Sequence, residues 1–291
     1  MLFDLQSPRR RRVIRVTFGA LAAIFAISFV FLGVGTGQGG FSFEDLFGGG
    51  DGGDAASAFD DDINAAQEKL AVNPQDTVAL SQLVTLHYQA GNAGIQVDEN
   101  SGQQSLTSDG KQQFEQSVDA WSKYLKASGG QPDQGPASIA YQAFFVLAQA
   151  DFTEAAGATT AADQLQGLQS TIADLKGAAE AQRVIATARP NVANWSKVAE
   201  AYYLAGDAAG AQQAIDEATK LDPQAGAKLE QQLKGSQQQG ERFTQAVDQL
   251  NKQQQQVQSG AGGATGGGGG GGGNPLSDLG TGGLGGTGGG F

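Results

Sequence analysis

The chain of 291 residues holds one histidine, His87, and no cysteine. Those two facts bound the chemistry. Thiol catalysis, a disulfide framework and Cys-ligated metal all need thiols, and a nitrogen-and-sulfur metal site would have a single ligand to draw on. His87 falls within residues 78–91, V-A-L-S-Q-L-V-T-L-H-Y-Q-A-G, where apolar residues recur at threes and fours. It belongs to the inward stripe of a helix and reads as a packed histidine. Asp60, Asp61 and Asp62 stand where a helix should begin, and acids there complement the helix dipole. They read as a solvated helix start rather than a cation site. Residues 98–109 have a loose acidic spacing, but Gln103 stands where an EF-hand calcium loop requires Gly. No Gly-rich loop ends in G-K-S or G-K-T, and G-x-S-x-G does not occur. Asn194-Trp195-Ser196 matches a glycosylation triplet but lies on a helical stretch. The expectation is a protein without catalytic residues, metal, cofactor or small-molecule substrate.

What must position these side chains is a repeated helix pair. In residues 192–223, Trp195, Val198, Ala199 and Tyr202 recur on one helical face. Gly206-Asp207 ends that helix, Gly being suited to a left-handed cap. Ala211, Ile215 and Ala218 form the inward stripe of a second helix, and Pro223 ends the unit. Residues 78–91 repeat the first half: Leu80 stands for Trp195, Leu83 for Val198, Val84 for Ala199, His87 for Tyr202 and Gly91-Asn92 for Gly206-Asp207. The second helix is delayed by residues 93–111, which predict a small β-hairpin. It resumes with Phe114, Val118, Trp121, Tyr124 and Leu125 on one stripe.

Around these pairs, residues 58–72 predict a single helix closed by Asn73-Pro74. Gly129-Gly130 and residues 132–136 form a turn. Residues 138–150 predict an apolar helix with Tyr141, Phe144 and Phe145 in the core. Residues 155–188 read as helical with a break near Gly167 or Gly177. Residues 226–257 carry Leu229, Leu233, Phe243, Val247, Leu250 and Val257 at threes and fours, with a polar gap at 235–240. They predict a polar helix capping the last pair.

The order Trp, small residue, Tyr, Gly-Asp, Ala, Ala, Pro in residues 192–223 resembles a complete tetratricopeptide (TPR) repeat. The resemblance implies an all-α class: a TPR-like α-α superhelix of about three helix-hairpin repeats plus a capping helix, with the β-hairpin as an insertion. It also implies a concave groove lined by the first helix of each pair, in which a partner's extended segment or helix lies. By register the groove residues would be Val78, Ser81, Thr85 and Tyr88 in the first pair and Ala193, Ser196, Glu200 and Tyr203 in the last. Ser81 and Thr85 stand where modules that clamp acidic chaperone tails carry Lys and Asn, which argues against that ligand. Tyr88 and Tyr203 read either as exposed contacts, Tyr being favoured at interfaces, or as packed on neighbouring helices.

Ahead of the repeats, residues 16–34 carry no charge and as a helix would span roughly 28 Å, close to the hydrocarbon thickness of a bilayer. All five Arg of the N-terminal region, Arg9 to Arg12 and Arg15, precede this run. A transmembrane helix within 13–34, following a basic arm at 1–12, would therefore place the N-terminus in the cytoplasm and the rest outside. A cleaved secretory signal is the alternative. Residues 35–57 are a Gly- and Asp-rich linker carrying F-S-F-E-D-L-F at 41–47, either an interfacial or partner-binding motif or a segment that docks on its own domain. The repeat domain would occupy 58–257. Residues 258–291 are nearly all Gly and cannot bury enough apolar surface to fold.

Net charge is −12, and residues 35–258 hold 28 acids against 13 Lys or Arg. That balance argues against nucleic acid, whose phosphates need clustered cations. The layout resembles the membrane-anchored tetratricopeptide proteins of high-GC Gram-positive bacteria. The expected function is a single-pass membrane scaffold that binds protein partners on the extracytoplasmic face, in assembly of an envelope or secretion complex. The alternative is a structural spacer or tether whose Gly-rich tail engages the cell wall.

Overall fold

The computed structural model divides the chain into two units, 1–53 and 54–291. It describes residues 57–97 and 104–258, all within the second unit. The apolar run 16–34, the 41–47 motif and the tail from 259 onward lie outside the described residues. A 3₁₀ turn, Ser57–Phe59, opens into α1 (Asp60–Val72), followed by α2 (Thr77–Ala93), β1 (Ile95–Val97), β2 (Gln104–Leu106) and α3 (Ser108–Ala127). Then come α4 (Gln134–Gly157), α5 (Ala161–Ala188), α6 (Val192–Leu204), α7 (Ala208–Leu221), α8 (Ala225–Gln232) and α9 (Lys234–Gln258). The described part is thus mostly helical with one two-stranded sheet. None of its helices is long and apolar enough to cross a membrane.

Short polar side chains punctuate the chain. Asp76 accepts from the amides of Val78 and Ala79, Thr107 from Gly110, Thr160 from Asp163, Asn191 from Asn194 and Asp207 from Gly210. Each satisfies amide donors that a helix start leaves unpaired. Positive φ at Gly129, Gly130 and Gly206 reverses the chain after α3 and α6, where a β-carbon would be strained. Asn194 is engaged locally as well, its side-chain amide donating to the Arg189 carbonyl at 2.8 Å.

Consecutive helices pack on one another, and α9 returns to pack on α5 and α6. Ser117 Oγ donates to the Val84 carbonyl at 2.7 Å and Gly91 lies against Phe114, so α2 and α3 run antiparallel. Gly167 meets Ala155 and Gly177 meets Phe144, so α4 and α5 do too. Small buried residues make these approaches possible: Ala199 and Ala211 are fully buried between α6 and α7, as the sequence pattern requires. The expected hairpin forms with Ile95 opposite Leu106, both packed on Phe114 and Leu147.

Three expectations are corrected. No break occurs at Gly167 or Gly177; α5 runs through both. A β-carbon on Gly177 would lie 2.4 Å from the Phe144 ring, and one on Gly167 2.7 Å from that of Ala155. These glycines are helix-packing contacts rather than stops. Gly91 likewise does not end α2, which continues to Ala93, because it lies buried beneath the Phe114 ring. The polar stretch 235–240 is not a gap but the first turns of α9.

The cap is divided as well. Ala225 and Leu229 of α8, and Leu233 between α8 and α9, join the cluster of Tyr203, Ile215 and Ala218. Phe243, Ala246 and Leu250 of α9 instead join Phe152, Leu165, Leu168 and Leu175 of the α4–α5 pair. Gly240 permits that placement: a β-carbon there would sit 1.7 Å from the Tyr203 carbonyl oxygen. Gly240→Ala should therefore lower stability by about 1–3 kcal/mol, the range for overpacking a tight contact. Gly235 has open space around it, so Gly235→Ala should raise stability by up to about 1 kcal/mol through helix propensity. Denaturant unfolding of the two variants checks the opposite signs.

Candidate functional site

Two clefts open between helices that flank α2 and α6. The first, about 350 Å³, has Leu80, Leu83 and His87 of α2 as its floor, with walls from α1 and α3. The second, about 680 Å³, has Trp195, Val198 and Tyr202 of α6 as its floor, with walls from α5 and α7. The floor positions correspond one for one: Leu80 with Trp195, Leu83 with Val198 and His87 with Tyr202. The register read from sequence is thus reproduced in space by two clefts of one design. Over α4, between them, the space is filled. Phe144 lies against Gly177, and Val184 and Ile185 of α5 join the cluster of Trp121 and Tyr124 of α3.

Each floor carries one polar handle held from below. His87 is buried, and its Nδ1 lies 2.7 Å from Gln113 Oε1, which assigns the proton to Nδ1. Burial lowers its pKa, outweighing the hydrogen bond it donates to Gln113 and the charge of Asp119. Tyr202 donates its hydroxyl to Glu180, which also pairs with Arg183. Burial and Glu180 both raise the Tyr202 pKa. The rims carry paired charges of both signs, Asp119 with Lys123 at 2.7 Å and Glu217 with Lys220 at 2.6 Å. Exposed pairs of this kind contribute little to stability. Leu80, Leu83, His87, Val198 and Tyr202 are all buried, so the floors present little apolar surface and the polar rims are what a partner would meet first. Among the described residues no group of three His, Cys, Asp or Glu is placed to hold a metal ion.

The residues expected to line a groove are divided by the fold. On α2, Val78 is 65% exposed, while Ser81 and Thr85 are half-buried with Thr85 Oγ1 donating to the Ser81 carbonyl at 3.2 Å. The Tyr88 hydroxyl donates to Gln142 of α4 at 2.8 Å, and its ring meets Phe114 edge-on. On α6, Ala193 is exposed and Ser196 half-buried. Glu200 is half-buried beside Ser236 of α9, and burial raises its pKa. Tyr203 is 8% exposed and packs with Leu229 and Leu233. The exposed reading of Tyr203 is therefore corrected: α8 and α9 cover the end of α6, and both tyrosines pack on neighbouring helices. Between the two sets, α4 brings Tyr141 close enough for Glu200 to raise its pKa further, beyond the effect of burial.

Register reasoning placed the floor residues on one inward stripe but not the openings above them, because a cleft depends on how far the flanking helices stand apart. The Tyr202–Glu180 and His87–Gln113 contacts also escaped it; each spans more than twenty residues with no local signal. Comparison with protein-family models, curated proteins and solved structures finds no match to this chain.

His87 gives a pH signature. Its folded pKa lies below the unfolded value of 6.5, so the unfolded chain takes up the proton first as pH falls. The stability that His87 contributes is present above 6.5 and is lost as pH falls below it. The advantage of wild type over His87→Gln in urea unfolding should shrink between about pH 7.5 and about pH 5.5. A constant difference across that range would contradict a neutral buried imidazole.

Proposed function

We propose that this chain is a membrane-tethered helical-repeat scaffold, its 58–257 domain a TPR-like superhelix that holds protein partners on the extracytoplasmic face. Assembly of an envelope or secretion complex is the role that this reading suggests. The observation that carries it is the pair of in-register clefts over α2 and α6, since one design used twice along a stack suits a partner engaged at more than one point. The stacking of antiparallel helix pairs and the complete repeat at 192–223 support the fold. The uncharged run 16–34 behind five arginines supports the anchor and its orientation.

On the α2 face Val78 is exposed and Ser81 and Thr85 are half-buried, which leaves these three to a partner, while Tyr88 is taken up by Gln142 and Phe114. On α6, Ala193 is exposed, Ser196 and Glu200 are half-buried, and Tyr203 is buried. A tether whose Gly-rich tail engages the cell wall is the second reading, favoured by the composition of 259–291.

Two experiments test the reading in the full chain. A photo-crosslinking side chain at Gln67 or Gln213, exposed on the cleft walls, should give discrete protein adducts in native membranes. The same group at exposed Gln253 on α9 should not. Equal adducts from all three positions would remove the clefts from the argument. Because the chain lacks Cys, Ser122→Cys on the exposed face of α3 supplies a single thiol. It should react with a membrane-impermeant maleimide in intact cells, and labelling only after lysis would reverse the orientation.

A further inference from the structure

The turns of the stack fall on two edges of opposite character. Contacts between neighbours fix the alternation of the helices. Lys69 of α1 meets Gln82 of α2 at 3.4 Å, the Tyr124 hydroxyl of α3 donates to Asp133 before α4 at 3.2 Å, and Gln182 of α5 meets Asn194 of α6 at 3.5 Å. Gly210 of α7 lies against the Tyr202 ring of α6. With the α2–α3 and α4–α5 pairs antiparallel too, the turns at 73–76, 128–133, 189–191 and 222–224 share one edge. The start of α1, the hairpin and the turns at 158–160 and 205–207 share the other.

The first edge carries the apolar tips. Among the described residues the exposed large hydrophobic side chains are Val72, Val78 and Leu221, at 88%, 65% and 47%. All three stand within two residues of its turns. Within four residues of those turns lie Lys69, Lys126, Arg189, Lys220 and Lys228, against Asp76, Asp133 and Asp222. Lys220 pairs with Glu217; the other four have no described carboxylate at ion-pair distance. By the same measure the opposite edge holds the run Asp60–Asp62, Asp109, Glu154, Asp163 and Asp207. Its described cation is Lys111, already paired with Asp151 and Glu154. α9, crossing that edge at Gly206, adds Glu241 and Arg242 and so no net charge. Each turn of the first edge also contains a proline, Pro74, Pro132, Pro190 or Pro223, and no turn of the second does. Proline has no amide donor to strip of water.

We propose that the first edge is a lipid-facing surface. Val72, Val78 and Leu221 enter the headgroup layer of an anionic membrane, and Lys69, Lys126, Arg189 and Lys228 meet its phosphates. This rests on the membrane-tethered reading above, since a tether supplies the effective concentration that a few small contacts need. Apolar tips beside cations with apolar stems suit a bilayer interface. The tips are divided between the first turn and the last, so they form no contiguous core of the kind a protein interface has. The acidic edge, repelled by the same surface, turns outward. Residues 35–57 can extend to at most about 80 Å, and α1 is about 20 Å long. A tether joined at the acidic edge therefore still lets the far edge reach lipid.

The test uses the full chain in vesicles of phosphatidylcholine with about 30% phosphatidylglycerol. Val72→Cys, Leu221→Cys and Thr159→Cys each give a single thiol for a fluorophore, Thr159 being exposed on the opposite edge. Quenching by a spin label on the lipid headgroup should be at least about threefold greater at 72 and 221 than at 159. Lys126→Glu with Arg189→Glu, both exposed, should bring 72 and 221 down to the level of 159, as should raised salt. A chain that floats with the vesicles yet is quenched equally at all three sites overturns the edge and leaves the anchor standing. Quenching that the double charge reversal leaves unchanged also overturns the edge. A chain that does not float overturns anchor and edge together. Fluorophores at 72 and 221 that quench one another as chain density rises, without responding to the lipid label, would make this edge a contact between copies and overturn the lipid assignment.

Discussion

The arrangement depends on covering the overhang left by helices of unequal length. α5 has 28 residues and α4 has 24, whereas α6 and α7 have 13 and 14. At helical rise α5 outruns α6 by about 20 Å. The overrunning half presents Leu165, Leu168 and Leu175, with Phe152 across from them, and exposed apolar surface of that kind is unfavourable. α9 supplies the cover. Phe243 and Leu250 are fully buried there, with Phe243 5.4 Å from Phe152 between ring centroids. Reaching that place requires backbone to touch backbone where α9 crosses the end of α6, and Gly240 is the residue that lets it. The same crossing covers Tyr203 and sets Ser236 beside half-buried Glu200, so closing the overhang also buries part of the α6 surface.

Packing fills the space over α4. α4 brings Phe144 toward a glycine, and α5 closes in with Val184 and Ile185. α2 and α6 present floors of matching position, and the Tyr202 ring lies against Gly210 of α7 as Phe144 lies against Gly177. Their polar handles are tied beneath, His87 to Gln113 and Tyr202 to Glu180, so each floor keeps a fixed shape without leaving a buried polar atom unpartnered. Among the described residues no buried side-chain nitrogen or oxygen lacks a hydrogen-bond partner, as expected of a specified core.

Much of the fold was legible in the chain. Helical periodicity marked α2, α3, α6 and α7, and Gly206 with Asp207 marked the reversal between the last two. Local rules suffice there, because amphipathic spacing and cap chemistry act within a few residues. The hairpin was legible for the same reason. The glycines at 91, 167, 177 and 240 misled the reading because a helical glycine is locally a weak point. Its value in close approach appears only when the partner helix is in place. The candidate site divides likewise: the stripe carrying Leu80, Leu83, His87, Trp195, Val198 and Tyr202 could be read, but the space above it could not.

By itself, then, the sequence determined which segments are helical, where most of them turn, which faces turn inward, and that two segments share one pattern. The tertiary structure alone decided how far the helices stand apart, which tyrosines are covered, and that Lys111 meets Asp151 and Glu154. The physical reason is range. Periodicity, capping and turn chemistry are set by neighbours along the chain, whereas cleft width, burial and charge coupling depend on distances between residues that only packing brings together.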